Sequence, residues 1–392
     1  MSKSTYILSA KRTPMGSFMG SLSSLAAPQL GATVIKSAME TANVPFDKVD
    51  ECIMGQVLTA GAGQAPARQA AIYAGLEKST TCMTINKVCG SGLKAVMLAS
   101  DSIQLGHSQV VVAGGQENMS LAPHLLLGSR TGQKMGPLKT VDSMVNDGLW
   151  DPYNNFHMGN AAEACVKEYQ FSREEQDAFA IESYKKAQTA QKNNAFSDEI
   201  TTVEIKTRKG STEVNSDEEP QKVNFDKIPQ LRPAFDKEGA ITAANASSIN
   251  DGAAALVLAS EDAVATYNAK PIAKIITHAT FAQDPIWFTT APVEAMKRAL
   301  KKADLKVEDI DLWEINEAFS VVTMAAIKDL EIDASKVNVH GGAVSLGHPI
   351  GASGARIFTT LIHALKQQNK KYGMASLCIG GGEAVAVIVE NL

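Results

Sequence analysis

The sequence predicts an α/β fold made of two related halves with one long insertion. Three observations carry that reading. Short β-branched runs alternate with helical patterns at both ends of the chain, the pattern of a sheet covered by helices. The two ends also repeat one another. Gly90-Ser91-Gly92 opens a helix leading to a strand at 110–112 and then Gly114-Gly115, while Ala352-Ser353-Gly354 opens a helix leading to a strand at 375–377 and then Gly380-Gly381-Gly382. Finally, the stretch from about 120 to 246 breaks the rhythm and reads as an insertion laid over both halves.

Taken in order, the first half offers strands at 6–10, 52–58, 81–86 and 109–113, with helices at 28–42, 66–74 and 92–105 between them. The last part offers strands at 273–279, 310–315, 336–339, 374–379 and 384–390, with helices at 293–302, 318–330 and 353–367. The expected division is 1–268 for the first half, insertion included, and 269–392 for the second. Inside the insertion a helix over 173–192 is started by Ser172 with Glu175 three residues on, a capping box in which each side chain satisfies the other's orphan amide. The run 206–227 mixes both charge signs with few apolar residues and reads as a solvated excursion.

Composition excludes several classes. A chain of 392 residues with 45% apolar and 20% charged residues is too long for a stapled mini-protein and too apolar for disorder. Lys and Arg number 37 against 42 Asp and Glu, a net charge of −5, so a nucleic-acid backbone finds no general attraction here. The longest apolar stretches, such as 252–259, fall far short of the ~20 residues that span a bilayer, so no membrane partner is expected. Five cysteines with no C-x-x-C spacing point to reduced thiols rather than to disulfides or a zinc site. A strand at 6–10 leaves no room for a leader, so the expected location is cytoplasmic, with a mature mitochondrial matrix protein the other reading.

Four strand-to-turn junctions carry chemistry. Cys89 precedes a helix that opens with glycines, where amides and the helix dipole are expected to lower a thiol pKa that is about 8.5 in a free cysteine. His348, held extended by Pro349 in a glycine-rich loop, can act as a base. Cys378 ends a strand ahead of three glycines whose amides suit an oxyanion hole. Asn316 can hold a water or a carbonyl, or simply cap a helix. Together they form a nucleophile, a base and a second thiol suited to removing a proton α to a carbonyl, which favours carbon-carbon bond exchange over hydrolysis. Cys52, Cys82 and Cys165 read as core residues.

These residues lie in Ile85-Asn86-Lys87-Val88-Cys89-Gly90-Ser91-Gly92, Asn316-Glu317-Ala318-Phe319, Gly347-His348-Pro349 and Cys378-Ile379-Gly380-Gly381-Gly382. In this set and order the chain resembles the thiolase family over essentially its whole length. The resemblance implies the thiolase fold, two duplicated βαβαβαββ halves in a five-layered α-β-α-β-α core with an inserted loop domain. It implies an acyltransferase of fatty acid metabolism that joins two acetyl-CoA into acetoacetyl-CoA by Claisen condensation. In it Cys89 takes the acyl group, His348 its proton, and Cys378 a proton of the second substrate. The amides of Cys89 and Gly380 form one oxyanion hole, and His348 with a water on Asn316 the other.

The resemblance further implies coenzyme A as substrate and product, with no tightly bound cofactor. Its contacts would be Leu149, His157, Met158, Tyr184, Lys222, Val223, Asn224, Lys227, Ala243, Ser247, Ala318 and Phe319. Among thiolases the chain most resembles the mitochondrial acetoacetyl-CoA type. Phe288 matches an aromatic residue of that type, which is associated with 2-methyl-branched acyl groups. The same type implies a potassium ion held by Tyr184, Ala243, Ala244, Ala246 and Val344. It also implies a homotetramer, a dimer of dimers, assembled through a loop in the insertion. Two alternatives stand beside this reading: a degradative thiolase of longer or branched 3-ketoacyl-CoA, and a non-catalytic CoA- or lipid-binding carrier. The second is disfavoured by the presence of all four chemical residues.

Overall fold

The computed structural model describes residues 4–207 and 210–392. Nine strands, in chain order β1 (Thr5–Arg12), β2 (Glu51–Gly55), β3 (Thr81–Ile85), β4 (Val110–Asn118), β5 (Asn250–Ser260), β6 (Ala273–Ala282), β7 (Leu312–Ile315), β8 (Tyr372–Ile379) and β9 (Glu383–Asn391), run through one mixed sheet. Their order across it is β7-β8-β9-β6-β1-β5-β4-β2-β3, with the short strand Gly16–Ser17 paired to β5. The principal helices are α1 (Ala27–Ala42), α2 (Pro66–Ala74), α3 (Ser91–Gln104), α4 (Met158–Tyr169), α5 (Arg173–Lys192), α6 (Ala291–Ala303), α7 (Ser320–Leu330) and α8 (Ser353–Gln367). Within the sheet, among the described residues, the halves join where Thr5–Ile7 of β1 pairs antiparallel with Ala273–Ile275 of β6.

Period-two patterning explains the layers. In the first half Ile53, Val111, Ala113, Leu256 and Leu258 face one core together with α3 and α8, while Cys52, Met54, Val110, Val112 and Val257 face another beneath α1 and α2. In the second half Ala375, Leu377, Val385 and Val387 turn toward the same α3–α8 core, and Met374, Ala386 and Ile388 toward α6 and α7. The two sheet halves therefore close over a central helical layer and carry helices outside, giving the five layers. Among the described residues no helix is long and apolar enough to cross a membrane.

Three local expectations are corrected. The expected strand at 336–339 is reduced to one bridge, Trp313 to Val337. Asn338 has φ +45°, and its side chain takes over the pairing by accepting from Ile315 N and donating to Ile315 O, both at 2.9 Å. Helix α7 starts at Ser320 rather than at 318, so Asn316 does not cap it. The run 206–227 is not wholly solvated. Its Asp217 is buried and takes Arg12 Nη1 and Nη2 at 2.6 and 2.9 Å, with Glu199 on Arg12 Nε at 2.5 Å. That buried pair tethers the insertion to β1. The helix over Arg173–Lys192 and its capping box are as expected.

Candidate active site

The site is assembled by the two central helices. A Cβ on Gly92 would lie 2.8 Å from Ala355 N, and one on Gly354 2.4 Å from Leu93 N. Only glycine at both positions lets the N-termini of α3 and α8 come this close, bringing the loops before them together. Those loops carry Cys89 and His348.

Cys89 sits on a tight turn. Val88 has φ +45°, Asn86 Oδ1 accepts from Val88 N at 2.9 Å, and Ser91 Oγ accepts from Lys87 N at 2.8 Å while donating to Val88 O at 2.7 Å. Lys87 pairs with Glu383 at the start of β9, fixing this loop to the other half. The expected lowered thiol pKa is not what the environment produces. Desolvation by the apolar walls pushes Cys89 up to about 11, outweighing hydrogen bonds from the amides of Gly380 and of Cys89 itself, with Glu117 adding to the rise. The resting residue is a neutral thiol that needs a base.

His348 supplies a lone pair. Its backbone N–H donates to Asn250 Oδ1 at 2.9 Å, and its Nδ1 lies 2.5 Å from Ser353 Oγ. Ser353 Oγ sits 2.8 Å from Pro349 O, which can only accept, so the hydroxyl proton goes there. Ser353 therefore accepts from His348 Nδ1–H, and Nε2 is left as a bare acceptor, buried without a partner. Burial, with a contribution from the Arg356 charge, takes His348 down to about 3, so the ring is neutral at physiological pH.

Cys89, His348 and Gly380 line one cavity of about 300 Å³. Leu149, His157, Met158, Ser247, Ala318 and Phe319 line it too, as the resemblance implies for coenzyme A. Tyr184, Lys222, Val223, Asn224, Lys227 and Ala243 do not. Lys222 Nζ is turned to Ser17 Oγ, and Val223 packs near Tyr184 and Val344 beside α5. One wall is an aromatic chain: His157 stacks on Phe235 at 4.8 Å, and Phe319 meets Phe235 and Phe288 edge-on at 6.0 and 6.4 Å. Cys378 is fully buried behind this wall, held well above the ordinary thiol range by desolvation and by its neighbour Cys89. Asn316 is buried with both side-chain polar atoms unpartnered.

Sequence reasoning missed Met119, Phe235, Ser248, Ile249 and Ile350 as lining residues, since nothing in their local pattern marks them. It also missed Glu117, where a signal existed in a carboxylate next to the last residue of a strand that opens with Val110-Val111-Val112-Ala113. Buried at the end of β4, Glu117 accepts from Val57 N, Leu58 N and Gly351 N at 2.9, 3.1 and 2.8 Å, joining the β2 loop to the His348 loop. Burial raises it to about 7 against those three bonds.

For the cation implied by the resemblance, the residues offer oxygen donors only. Asn245 Nδ2 bonds Asp177 Oδ1 at 2.9 Å, laying the 243–246 segment along α5, where Tyr184 packs on Val344. Among the described residues no group of three His, Cys, Asp or Glu is poised for a metal. Neutral oxygens of this kind suit a hard monovalent ion.

Residues 5–262 match the model of the thiolase N-terminal domain, and residues 269–391 that of the thiolase C-terminal domain. The chain is 54% identical over 387 residues to the acetyl-CoA acetyltransferase of Cupriavidus necator, covering 98% of each. It is 52% identical over 388 residues to the mitochondrial acetyl-CoA acetyltransferase of Rattus norvegicus, covering 98% of this chain and 91% of that one. The crystal structure of the Ascaris suum Acat5 thiolase in complex with coenzyme A superposes with a TM-score of 0.95 at 47% identity, covering 100% of both chains. That of the Bacillus anthracis acetyl-CoA acetyltransferase gives 0.98 at 40%, covering 100% of this chain and 99% of that one. With both domains matched and the similarity spanning nearly every residue, the chain belongs to the thiolase family.

Proposed function

We propose that the chain is an acetyl-CoA C-acetyltransferase, interconverting two acetyl-CoA with acetoacetyl-CoA and free CoA through an acetyl thioester on Cys89. The observation that carries this is the shared cavity of the Cys89 thiol and the unpartnered His348 Nε2. A thiol near 11 does not ionise alone at neutral pH, so it attacks as its proton is taken, and a ring neutral above about pH 3 is available to take it. Cys89 Sγ bonds to the acetyl carbon, its proton passes to His348, and the CoA sulfur leaves with a proton from Cys378. The Cys378 thiolate then removes a proton from the second acetyl-CoA. The carbanion attacks the thioester, and Cys89 leaves with the proton held by His348.

The amides of Cys89 and Gly380 would stabilise one oxyanion; His348 Nε2 and a water on Asn316 Nδ2 the other. The orphaned Asn316 amide supports that assignment, because a buried donor without a protein partner is costly unless a water or substrate completes it. Leu149, His157, Met158, Ser247, Ala318 and Phe319 would surround the pantetheine arm of CoA, with Lys222, Val223, Asn224 and Lys227 toward its nucleotide. Brief incubation with acetyl-labelled acetyl-CoA should leave label on the Cys89 peptide, and an unlabelled peptide would sink the reading. A rate series over chain length and 2-methyl branching separates the short-chain reading from a degradative one.

Two further proposals accompany it. A homotetramer is supported by apolar side chains left exposed on the insertion, among them Leu127 at 63% and Met135 at 90%. Light scattering should give a tetramer mass that Leu127→Asp with Met135→Asp reduces; an unchanged mass in the double variant removes the loop from the interface. A potassium ion on Tyr184, Ala243, Ala244, Ala246 and Val344 predicts faster thiolysis in potassium than in sodium buffer, and equal rates would remove it. Both active thiols must stay reduced, which fits the cytoplasm or the mitochondrial matrix.

A further inference from the structure

The proposed acyl transfer needs the amide of Gly380 to stand beside Cys89, yet Gly380 opens a loop that has no side chains by which to hold it. Strands β8 and β9 form a hairpin in which Ile379 pairs with Glu383 across Gly380-Gly381-Gly382. Gly381 and Gly382 have φ of +91° and +85°, and Gly382 O accepts from Gln283 N at 2.9 Å, which holds the far end of the turn. Successive glycines lose more conformational freedom on ordering than any other residues. The near end, where Gly380 faces the cavity, has to be held through its flanks.

Both flanks reach the Cys89 turn. On one side Ile379 lies against Gly90, where a Cβ would stand 2.4 Å from Ile379 Cδ1. On the other Glu383 pairs with Lys87, which precedes Cys89 by two residues. Glu383 is a fixed point, because its backbone pairs with Ile379 of β8 and with Ala282 of β6. The Cys89 turn is fixed by its own braces, since Asn86 Oδ1 accepts from Val88 N and Ser91 Oγ ties Lys87 N to Val88 O. The ion pair therefore closes a ring running through Lys87, Cys89, Gly380 and Glu383. Its interior is packed, with Val88 Cγ1 3.6 Å from where a Cβ on Gly380 would be.

We infer that Lys87 and Glu383 are positioning residues for the acyl transfer, holding the Cys89 and Gly380 amides at one spacing across the two halves of the fold. The inference rests on the acetyltransferase reading, in which those amides share an oxyanion. Neither side chain touches the substrate in this role. Two donors aimed at one oxygen lose their effect when the gap between them varies, because an oxyanion hole works by standing ready before the charge develops. Breaking the pair therefore slows the chemical step rather than weakening the binding of acetyl-CoA.

The test follows single-turnover transfer of labelled acetyl groups from acetyl-CoA to Cys89 in the full-length protein, reading the saturated rate and the half-saturating concentration separately. Lys87→Met and Glu383→Gln should each slow the saturated rate roughly tenfold, a part of the 10²–10³ lost when an oxyanion donor is removed outright. Half-saturating concentration and melting temperature should change little. The two substitutions combined should be no slower than either alone, because they break one contact. Lys87→Glu with Glu383→Lys, which restores the pair with its charges exchanged, should regain most of the rate. A raised half-saturating concentration at an unchanged rate would make Lys87 a substrate contact, and losses that multiply in the double variant would mean two independent roles; either result overturns the inference. So does a charge-exchanged pair as slow as the single variants. A parent protein that leaves Cys89 unlabelled brings down the acetyltransferase reading itself, whereas a labelled parent with variants at its rate brings down only the role of the pair.

Discussion

The two halves of the molecule use the same brace for different ends. In the first half Ser91, at the start of α3, ties only backbone: it accepts from Lys87 N and donates to Val88 O, fixing the turn beneath Cys89. In the second half Ser353, at the matching position of α8, donates to Pro349 O and accepts from the His348 ring. A duplicated scaffold has kept one hydroxyl at each helix start. One copy positions the proposed nucleophile, and the other selects the tautomer of the proposed base.

The comparison can be broken at its ends first. If the first half supplies only the acyl carrier, Cys89→Ala should lower thiolysis by about 10⁴-fold or more and leave no labelled peptide, since no other group replaces a covalent nucleophile. Cys378→Ala should lose condensation by about 10²–10⁴-fold yet still transfer label to Cys89, with CoA leaving as its thiolate and drawing its proton from solvent. Equal loss of both steps would show that the halves do not divide the work this way.

The serines sharpen it. Ser353→Ala should lower kcat about 10–100-fold, and a nitrogen NMR spectrum of His348 should show mixed tautomers where the parent shows Nδ1–H alone. Ser91→Ala should slow acylation less and leave the His348 signals unchanged. Identical spectra in the parent and Ser353→Ala would refute the tautomer assignment.

The smallest effect concerns Glu117, which joins the halves. Its folded value of about 7 lies above the ordinary carboxylate value of 4.5, so its protonated form favours folding. The stability it contributes is complete below about pH 4.5 and is lost as pH rises through 7. Glu117→Gln should flatten this slope in melting temperature against pH. It should also cost about 1–3 kcal/mol, since an amide cannot accept all three backbone N–H bonds. An unchanged slope would assign the pH dependence to another group.

Much of this was legible in the chain. Strands such as Tyr372–Ile379 and helices such as Ser353–Gln367 carry their own periodicity, and Cys89, His348, Cys378 and Asn316 stand at strand ends beside glycines. What escaped had no local signal. Strand Asn250–Ser260 is rich in alanine and buried on both faces, so it shows neither β-branched enrichment nor alternation. Phe235 reaches the cavity from an unpatterned loop.

The sequence by itself determined the α/β fold, the long insertion and the residues proposed to bear chemistry, because periodicity, capping and glycine turns are local properties of the chain. Only the tertiary structure decided their state. It made Cys89 a protonated thiol rather than a thiolate, because desolvation outweighs two amide hydrogen bonds. It left His348 Nε2 bare through a serine five positions away, and it set Cys82, packed against the core, beside Cys52 and Arg68. Dielectric environment and proton location depend on what packs around a residue from distant parts of the chain, and no local pattern records them.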